Sequence, residues 1–153
     1  MSSPNEPAKG TAPPPRALMK LFTRLHVLLN QATGGRAFNT LGGDEVCFVS
    51  MTGAKSGRRI TIPLMHVPHG KGVLLVASLG GAPKNPTWYG NLVKHPKIEV
   101  RHRTQTMKLT ARLARTEEKP ALWPVCDASY APYADYRART TREIPIFVCE
   151  PRG

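Results

Sequence analysis

Lys97-Ile98-Glu99-Val100-Arg101-His102-Arg103-Thr104-Gln105-Thr106-Met107-Lys108-Leu109-Thr110-Ala111-Arg112-Leu113 contains two runs with a period of two. In the first, Ile98, Val100 and His102 alternate with Lys97, Glu99, Arg101 and Arg103. In the second, Met107, Leu109, Ala111 and Leu113 alternate with Lys108, Thr110 and Arg112. Successive side chains of a strand point to opposite faces, so each run predicts a strand with one apolar and one wet face. The polar Thr104-Gln105 junction predicts that the two strands form an antiparallel hairpin.

Working outward, further strands are expected at Glu45–Thr52, Arg59–Val67, Val73–Ser78 and Ile144–Cys149, each rich in Val, Ile, Leu or Phe. Pro63 cannot donate to a ladder and so marks an edge, a bulge or a break in its strand. Helices are expected at Thr87–His95 and from Thr116, as a capping residue, to about Ser129, with Pro120 and Pro124 limiting the second. Six mostly antiparallel strands with few helices predict a mainly β (α+β) domain built as a small barrel. No strand–helix alternation, Gly-rich dinucleotide motif or Walker motif argues for a doubly wound or P-loop fold.

The N-terminal region has a different character. Residues 1–15 hold five prolines and no aromatic residue, and are expected to be a disordered tail. Residues 16–35 form the next unit. Leu18, Leu21, Phe22, Leu25, Leu28, Leu29 and Ala32 recur at helical spacing up to Gly34-Gly35. The expected arrangement packs this stripe on the helix's own domain; a basic amphipathic helix touching a membrane surface or a dimer partner is the alternative. Residues 36–153 make up the barrel domain.

Among 153 residues, Lys and Arg number 22 and Asp and Glu 10, a formal charge of +12. The segment from Val46 to Ile98 has no acid but carries Lys55, Arg58, Arg59, Lys71, Lys84, Lys94 and Lys97. A concave surface drawn from it would favour an anionic ligand. Cys47, Cys126 and Cys149 form no C-x-x-C pair and read as buried thiols of a reducing compartment. The histidines lack metal-ligand spacing, and no nucleophile elbow or carboxylate pair appears. An enzyme of this composition would rely on a cofactor for its chemistry.

Three segments carry specific chemistry. Thr52–Arg59 is a turn whose glycines bring backbone amides near a ligand and whose Lys55, Arg58 and Arg59 suit phosphate or carboxylates. Ala77-Ser78-Leu79-Gly80-Gly81, followed by Asn85-Pro86-Thr87-Trp88-Tyr89-Gly90-Asn91-Leu92, combines a strand-end serine, a flexible loop and aromatic walls for a planar ring. Tyr130, Tyr133 and Tyr136 are spaced by three on about one helical face. Hydroxyl-bearing rings suit a pocket wall better than a dry core.

Together these motifs resemble the deazaflavin-dependent nitroreductase family, the F-420-dependent split-barrel reductases. The shared markers are Thr52-Gly53-x-Lys55-Ser56-Gly57, Pro63-Leu64, Ala77-Ser78-x-Gly80-Gly81, Lys84-Asn85-Pro86-x-Trp88-Tyr89-x-Asn91-Leu92, the tyrosine run and Ile144-Pro145-Ile146-x-Val148-Cys149-Glu150-Pro151. The resemblance implies a split β-barrel and coenzyme F-420, a deazaflavin with an oligoglutamate tail. It implies that Ala54, Lys55, Ser56 and the strand residues Ile60, Thr61, Ile62, Pro63, Leu64 and Met65 hold the phosphate and tail. Arg58 and Arg59 would compensate for the basic residues that relatives carry at 54, 60 and 79. Val76, Ala77, Ser78 and Leu79, with Thr87, Trp88, Tyr89, Gly90 and Asn91, would frame the ring. Ser78, Tyr130, Tyr133 and Tyr136 would be the catalytic residues facing the electron acceptor.

The implied activity is hydride transfer from the reduced coenzyme to quinones or α,β-unsaturated carbonyl compounds, with nitroimidazoles as secondary acceptors. The implied partners are that small-molecule acceptor, a second copy in a homodimer and an anionic membrane touched through residues 16–33. A cytoplasmic location, peripheral to the cell membrane, goes with them. FMN in place of the deazaflavin is the alternative within the fold. A nucleic-acid-binding domain is the alternative from the charge, but no DNA- or RNA-reading motif accompanies it.

Overall fold

The computed structural model describes residues 16–152, so the expected tail of residues 1–15 lies outside the described residues. Eight strands follow in chain order: β1 (Thr40–Leu41), β2 (Asp44–Thr52), β3 (Arg59–Met65), β4 (Val67–His69), β5 (Gly72–Val76), β6 (Lys97–His102), β7 (Gln105–Leu113) and β8 (Ile146–Pro151). All pairings are antiparallel. The count exceeds the expected six for two reasons. The short β1 pairs with the start of β2, and the expected strand Arg59–Val67 breaks at His66.

That break closes the barrel. Along the sheet the order is β2-β6-β7-β8-β5-β4, and β3 pairs with the free side of β2. One nearly continuous strand, β3 and β4 with only His66 between them, therefore joins both ends of the sheet. Its first part pairs Arg59–Met65 with Thr52–Val46, and its second pairs Val67–His69 with Leu74–Gly72. β3 has no other ladder partner, so Pro63 sits on an edge, where a missing N–H is tolerated. The β6–β7 hairpin is tighter than expected. His102 pairs with Gln105, and Arg103-Thr104 forms a two-residue turn with Arg103 in the left-handed region (φ 55°).

Alternation along the strands separates two cores. Cys47, Val49 and Met51 of β2, Val73 and Leu75 of β5, and Phe147 and Cys149 of β8 share one cluster with Ile98, Val100, Leu109 and Leu92. The intervening Leu74, Val76, Ile146 and Val148 pack outward beneath Leu122, Cys126 and Tyr133. A strand covered on both faces needs apolar residues at consecutive positions, hence Val73-Leu74-Leu75-Val76 and Ile146-Phe147-Val148-Cys149. The three thiols are free and buried, and burial pushes Cys47 and Cys126 up to about 12.

Four helices flank the barrel: α1 (Arg16–Ala32), α2 (Thr87–Lys94), α3 (Lys119–Ser129) and α4 (Tyr133–Arg139). Thr116 does not cap α3. It lies inside a 3-10 turn, Thr116–Glu118, which leads into the helix without a side-chain cap bond. Pro120 occupies the first turn of α3, where its missing N–H costs nothing.

The expected docking of α1 is reversed. Its apolar stripe faces solvent, with Leu21 64%, Phe22 60% and Leu28 61% exposed. The helix is held by its other face. Val27 packs on Val46 and Phe48, and the His26 Nε2–H donates to the Phe38 carbonyl at 2.8 Å. Asn30 Nδ2 donates to the Ala37 carbonyl (2.6 Å) and Asn39 Oδ1 (3.0 Å), and its Oδ1 accepts from Arg101. Polar bonds, more than apolar burial, fix the helix: beside them stands only Val27, packed with Val46, Phe48 and Met65.

The bend at His66 carries a stacked pair of imidazoles. The His66 and His102 rings lie 3.6 Å apart, 7° from parallel, and His102 Nε2 bonds Glu45 Oε1 at 2.8 Å beside Arg103. Burial, followed by repulsion from His102, lowers the His66 pKa from 6.5 to about 4. The unfolded chain therefore takes up this proton at higher pH than the folded one. The contribution of this group to stability is full above pH 6.5, falls as the pH drops toward about 4 and levels off below. Equilibrium urea unfolding across this window should show a smaller acid loss for His66→Gln than for the parent; equal losses would place the sensitivity elsewhere.

Candidate active site

A cleft of about 250 Å³ opens where β3 and β5 are not bonded to each other. Pro63, Leu64 and Met65 line it from β3 and Val76 from β5. Ser78, Leu79 and Gly80 come from the loop after β5, and Pro86 and Trp88 from the start of α2. Tyr130, Tyr133 and Tyr136 complete the wall.

Ser78 is buried and precedes a 3-10 turn, Leu79–Gly81. Leu79, Gly80 and Gly81 have φ of 43°, 63° and 79°, so three consecutive residues are left-handed. A Cβ on Gly81 would lie 2.7 Å from the Tyr136 carbonyl oxygen, so only glycine lets the loop approach α4 this closely.

The tyrosines do not occupy one helix. Tyr130 is the C-terminal cap of α3, whereas Tyr133 and Tyr136 lie on α4. The turn between the helices brings them together all the same, with Tyr130 and Tyr133 edge to face at 4.9 Å. The Tyr130 and Tyr136 hydroxyls lie 3.1 Å apart. That hydrogen bond, with burial, raises the Tyr130 pKa to about 12, and burial raises that of Tyr133. Both keep their protons at neutral pH and can donate.

The basic turn lies between β2 and β3. Gly57 takes a φ of 68°, the left-handed region that favours glycine, so the turn closes around a glycine there. Lys55, Ser56 and Arg58 are exposed, and no carboxylate pairs with Lys55 or Arg58 among the described residues. Arg59 is engaged by Glu99 of β6 at 2.7 Å. Asn91 is turned toward this loop: its Oδ1 accepts from the Ala54 N–H at 2.8 Å, and Lys94 Nζ donates to the Ala54 carbonyl at 2.9 Å. It thus holds the basic turn on α2.

Of the residues expected at a site, Pro63, Leu64, Met65, Val76, Ser78, Leu79, Trp88 and the three tyrosines share the cleft. Ala54 through Ile60 form the basic turn and the start of β3. Thr61 bonds Ser50, Ile62 packs on the barrel core, and Tyr89 leans on Phe147. Ala77 is fully buried, and Thr87 and Gly90 are exposed on α2. Gly80 and Pro86, which the sequence places within the motifs at 77–81 and 84–92 but not among the expected site residues, line the cleft as well.

A second hollow, of about 290 Å³, lies beside α3, lined by Trp123, Lys119, Arg137 and Arg142 among others. Two of its cations are already spent. Arg137 forks onto Asp127, and Lys119 holds Glu143 and the Ile144 carbonyl. The first cleft, with its donors free of carboxylates, is the better candidate.

The residues present fit a planar, polyanionic redox cofactor: flat walls in the cleft, and unpaired cations on a glycine-dependent turn at the other end of β3. A small antiparallel barrel with such a cleft defines a split-barrel reductase. Residues 22–151 match the family described as F420H(2)-dependent quinone reductase, and the chain belongs to that family. An F420H(2)-dependent quinone reductase of Mycobacterium tuberculosis H37Rv is 32% identical over 133 residues, 84% of this chain and 89% of that protein. The solved structure of an F-420-dependent reductase, FDR-A, is 38% identical with a TM-score of 0.63, covering 69% of this chain and 93% of its own. A second solved structure, described only as a domain-swapped dimer, is 32% identical with a TM-score of 0.67, covering 88% of this chain and 99% of its own. The chain is an oxidoreductase whose cofactor is coenzyme F-420, and its fold is the mainly β split barrel of these reductases.

Asn91→Ala should cost about 1–3 kcal/mol in chemical unfolding, because the Ala54 N–H loses its acceptor. Hydrogen exchange at Ala54 should quicken; an unchanged rate would show that the bond does not hold the turn.

Proposed function

We propose that the protein reduces quinones and α,β-unsaturated carbonyl compounds, with nitroimidazoles as secondary acceptors, in the cleft between β3 and β5. The observation that carries this reading is the convergence of Ser78 and three tyrosines on a cleft with aromatic walls. When bound there, the reduced deazaflavin supplies a hydride. The chain supplies position and charge stabilisation.

Lys55 and Arg58, free of carboxylate partners, bind the phosphate and carboxylates of the tail. Trp88 and the strand Pro63–Met65 shape the slot for the ring. The Ser78 hydroxyl donates to the acceptor oxygen, on which negative charge grows during reduction. The Tyr133 hydroxyl, which makes no hydrogen bond among the described residues, orients the acceptor. The Tyr130–Tyr136 pair offers a proton route to the reduced product.

The outer stripe of α1 belongs to the same reading. The helix has exposed apolar residues, Lys20 and Arg24, and no acid. It is not long and apolar enough to cross a membrane. Charge and amphipathicity fit it to the surface of an anionic bilayer, from which quinones partition into the cleft.

Mixing the protein with reduced coenzyme and a quinone should consume both in equal amounts. Ser78→Ala should lower kcat by about a hundredfold with coenzyme affinity nearly unchanged. Lys55→Ala should weaken coenzyme binding about tenfold and spare kcat. Stable reduced coenzyme across a panel of quinones and enones, or tighter binding of FMN, would refute the assignment.

In vesicle flotation, the full chain should bind phosphatidylglycerol vesicles and not phosphatidylcholine ones. The pair Phe22→Ser and Leu25→Ser should weaken binding about tenfold or more. A concentration-dependent dimer lost in the same variant, without flotation, would assign the stripe to a second copy instead.

A further inference from the structure

Between α4 and β8 the chain crosses behind the cleft, and Arg142 lies on this crossing. Its guanidinium donates from Nε to the Ala82 carbonyl (3.0 Å) and from Nη1 to the Ala77 carbonyl (3.2 Å) and Asn85 Oδ1 (2.6 Å). Nη2 donates to the Ser78 carbonyl at 2.8 Å. All four acceptors belong to the loop that carries Ser78, Leu79 and Gly80 into the cleft. No carboxylate pairs with Arg142 among the described residues, so loop dipoles alone meet its charge.

The donor is itself held in place. The Arg142 N–H donates to Thr140 Oγ1 at 3.1 Å, and buried Lys119 binds both Glu143 and the Ile144 carbonyl just beyond. The loop, by contrast, has little of its own. Its backbone bonds are Gly81 N–H to Ser78, Ala82 N–H to Leu79 and Ala77 N–H to Pro145. It also contains a left-handed leucine, a conformation that persists only when its surroundings impose it. A planar fork with five donors can span acceptors from residues 77 to 85, whereas an ammonium is a single point of charge.

We propose that Arg142 is a positioning residue for the reaction. From behind the cleft, touching neither coenzyme nor acceptor, it fixes the loop so that the Ser78 hydroxyl and the Leu79–Gly80 lip stand in reactive geometry. This rests on the reading of Ser78 as the donor to the acceptor. Arg142 lines the hollow beside α3 and not the cleft, so its removal leaves a space open to solvent from behind.

The test uses Arg142→Ala, Arg142→Lys and Asn85→Ala in the full chain. Without coenzyme, exchange of the Gly81 and Ala82 amides should rise about tenfold or more in Arg142→Ala, while Val49 and Phe147 stay protected. In turnover with a quinone, kcat should fall about tenfold or more, with the coenzyme KM moving less than about threefold. Millimolar guanidinium should restore part of both losses, and lysine should rescue less than the parent arginine. If Arg142→Ala does not fold, Asn85→Ala, which removes one acceptor, should shift exchange and kcat in the same directions by less.

Unchanged exchange, full kcat, or an equal loss of coenzyme affinity in an active series would overturn the role of Arg142. An inactive parent protein would instead overturn the reading of the cleft, and with it the catalytic part of this proposal.

Discussion

The structure depends on one strand shared between the two ends of its sheet. Arg59–Met65 satisfies the outer side of β2, and after His66 the same chain satisfies β5. A single bent strand cannot bond β2 and β5 along the same residues. Below the bend the barrel is closed; above it, β3 and β5 part, and the gap becomes the cleft. Pro63 belongs to this logic, since β3 pairs on one side only and an edge strand tolerates a missing N–H.

The cleft inherits its chemistry from the elements that border the gap. β3 joins two functions, because its first residues follow the basic turn and its last ones line the cleft. A long anionic ligand laid along β3 meets cations at one end and aromatic walls at the other. Across the gap, the loop after β5 bears the serine, and the α3–α4 turn brings the tyrosines. These groups work by position and by hydrogen-bond donation, which suits chemistry supplied by a cofactor. Part of the +12 charge finds a use here, while Arg101 ties α1 to the barrel and Arg112 pairs with Glu118 and Glu150.

Local patterns of the sequence carried much of this. The alternation of Lys97–His102 and of Met107–Leu113 showed the hairpin, and Gly34-Gly35 showed the end of α1. Motif resemblance brought Ser78, Trp88 and the tyrosines to one site, and the cleft contains all of them. What stayed hidden depends on contacts distant in the chain. The break at His66 follows from two partner strands, which no local pattern describes. The reversed docking of α1 follows from Asn30 meeting Asn39 and Arg101, so a stripe that reads as core faces outward. Asn91 reads as a ring contact but is spent on the turn at Ala54. Arg142 was one basic residue among many; only the fold sets it behind Ser78.

Coenzyme bound along β3 would lie against one methionine and far from others, so methionine methyl groups report its position. Met65 lines the cleft, whereas Met19 lies on α1 and Met107 on β7. With methyl-labelled methionine, titration with oxidised F-420 should shift the Met65 signal saturably and leave Met19 and Met107 in place. A saturable titration that moves Met19 or Met107 and leaves Met65 unmoved would place the coenzyme away from β3.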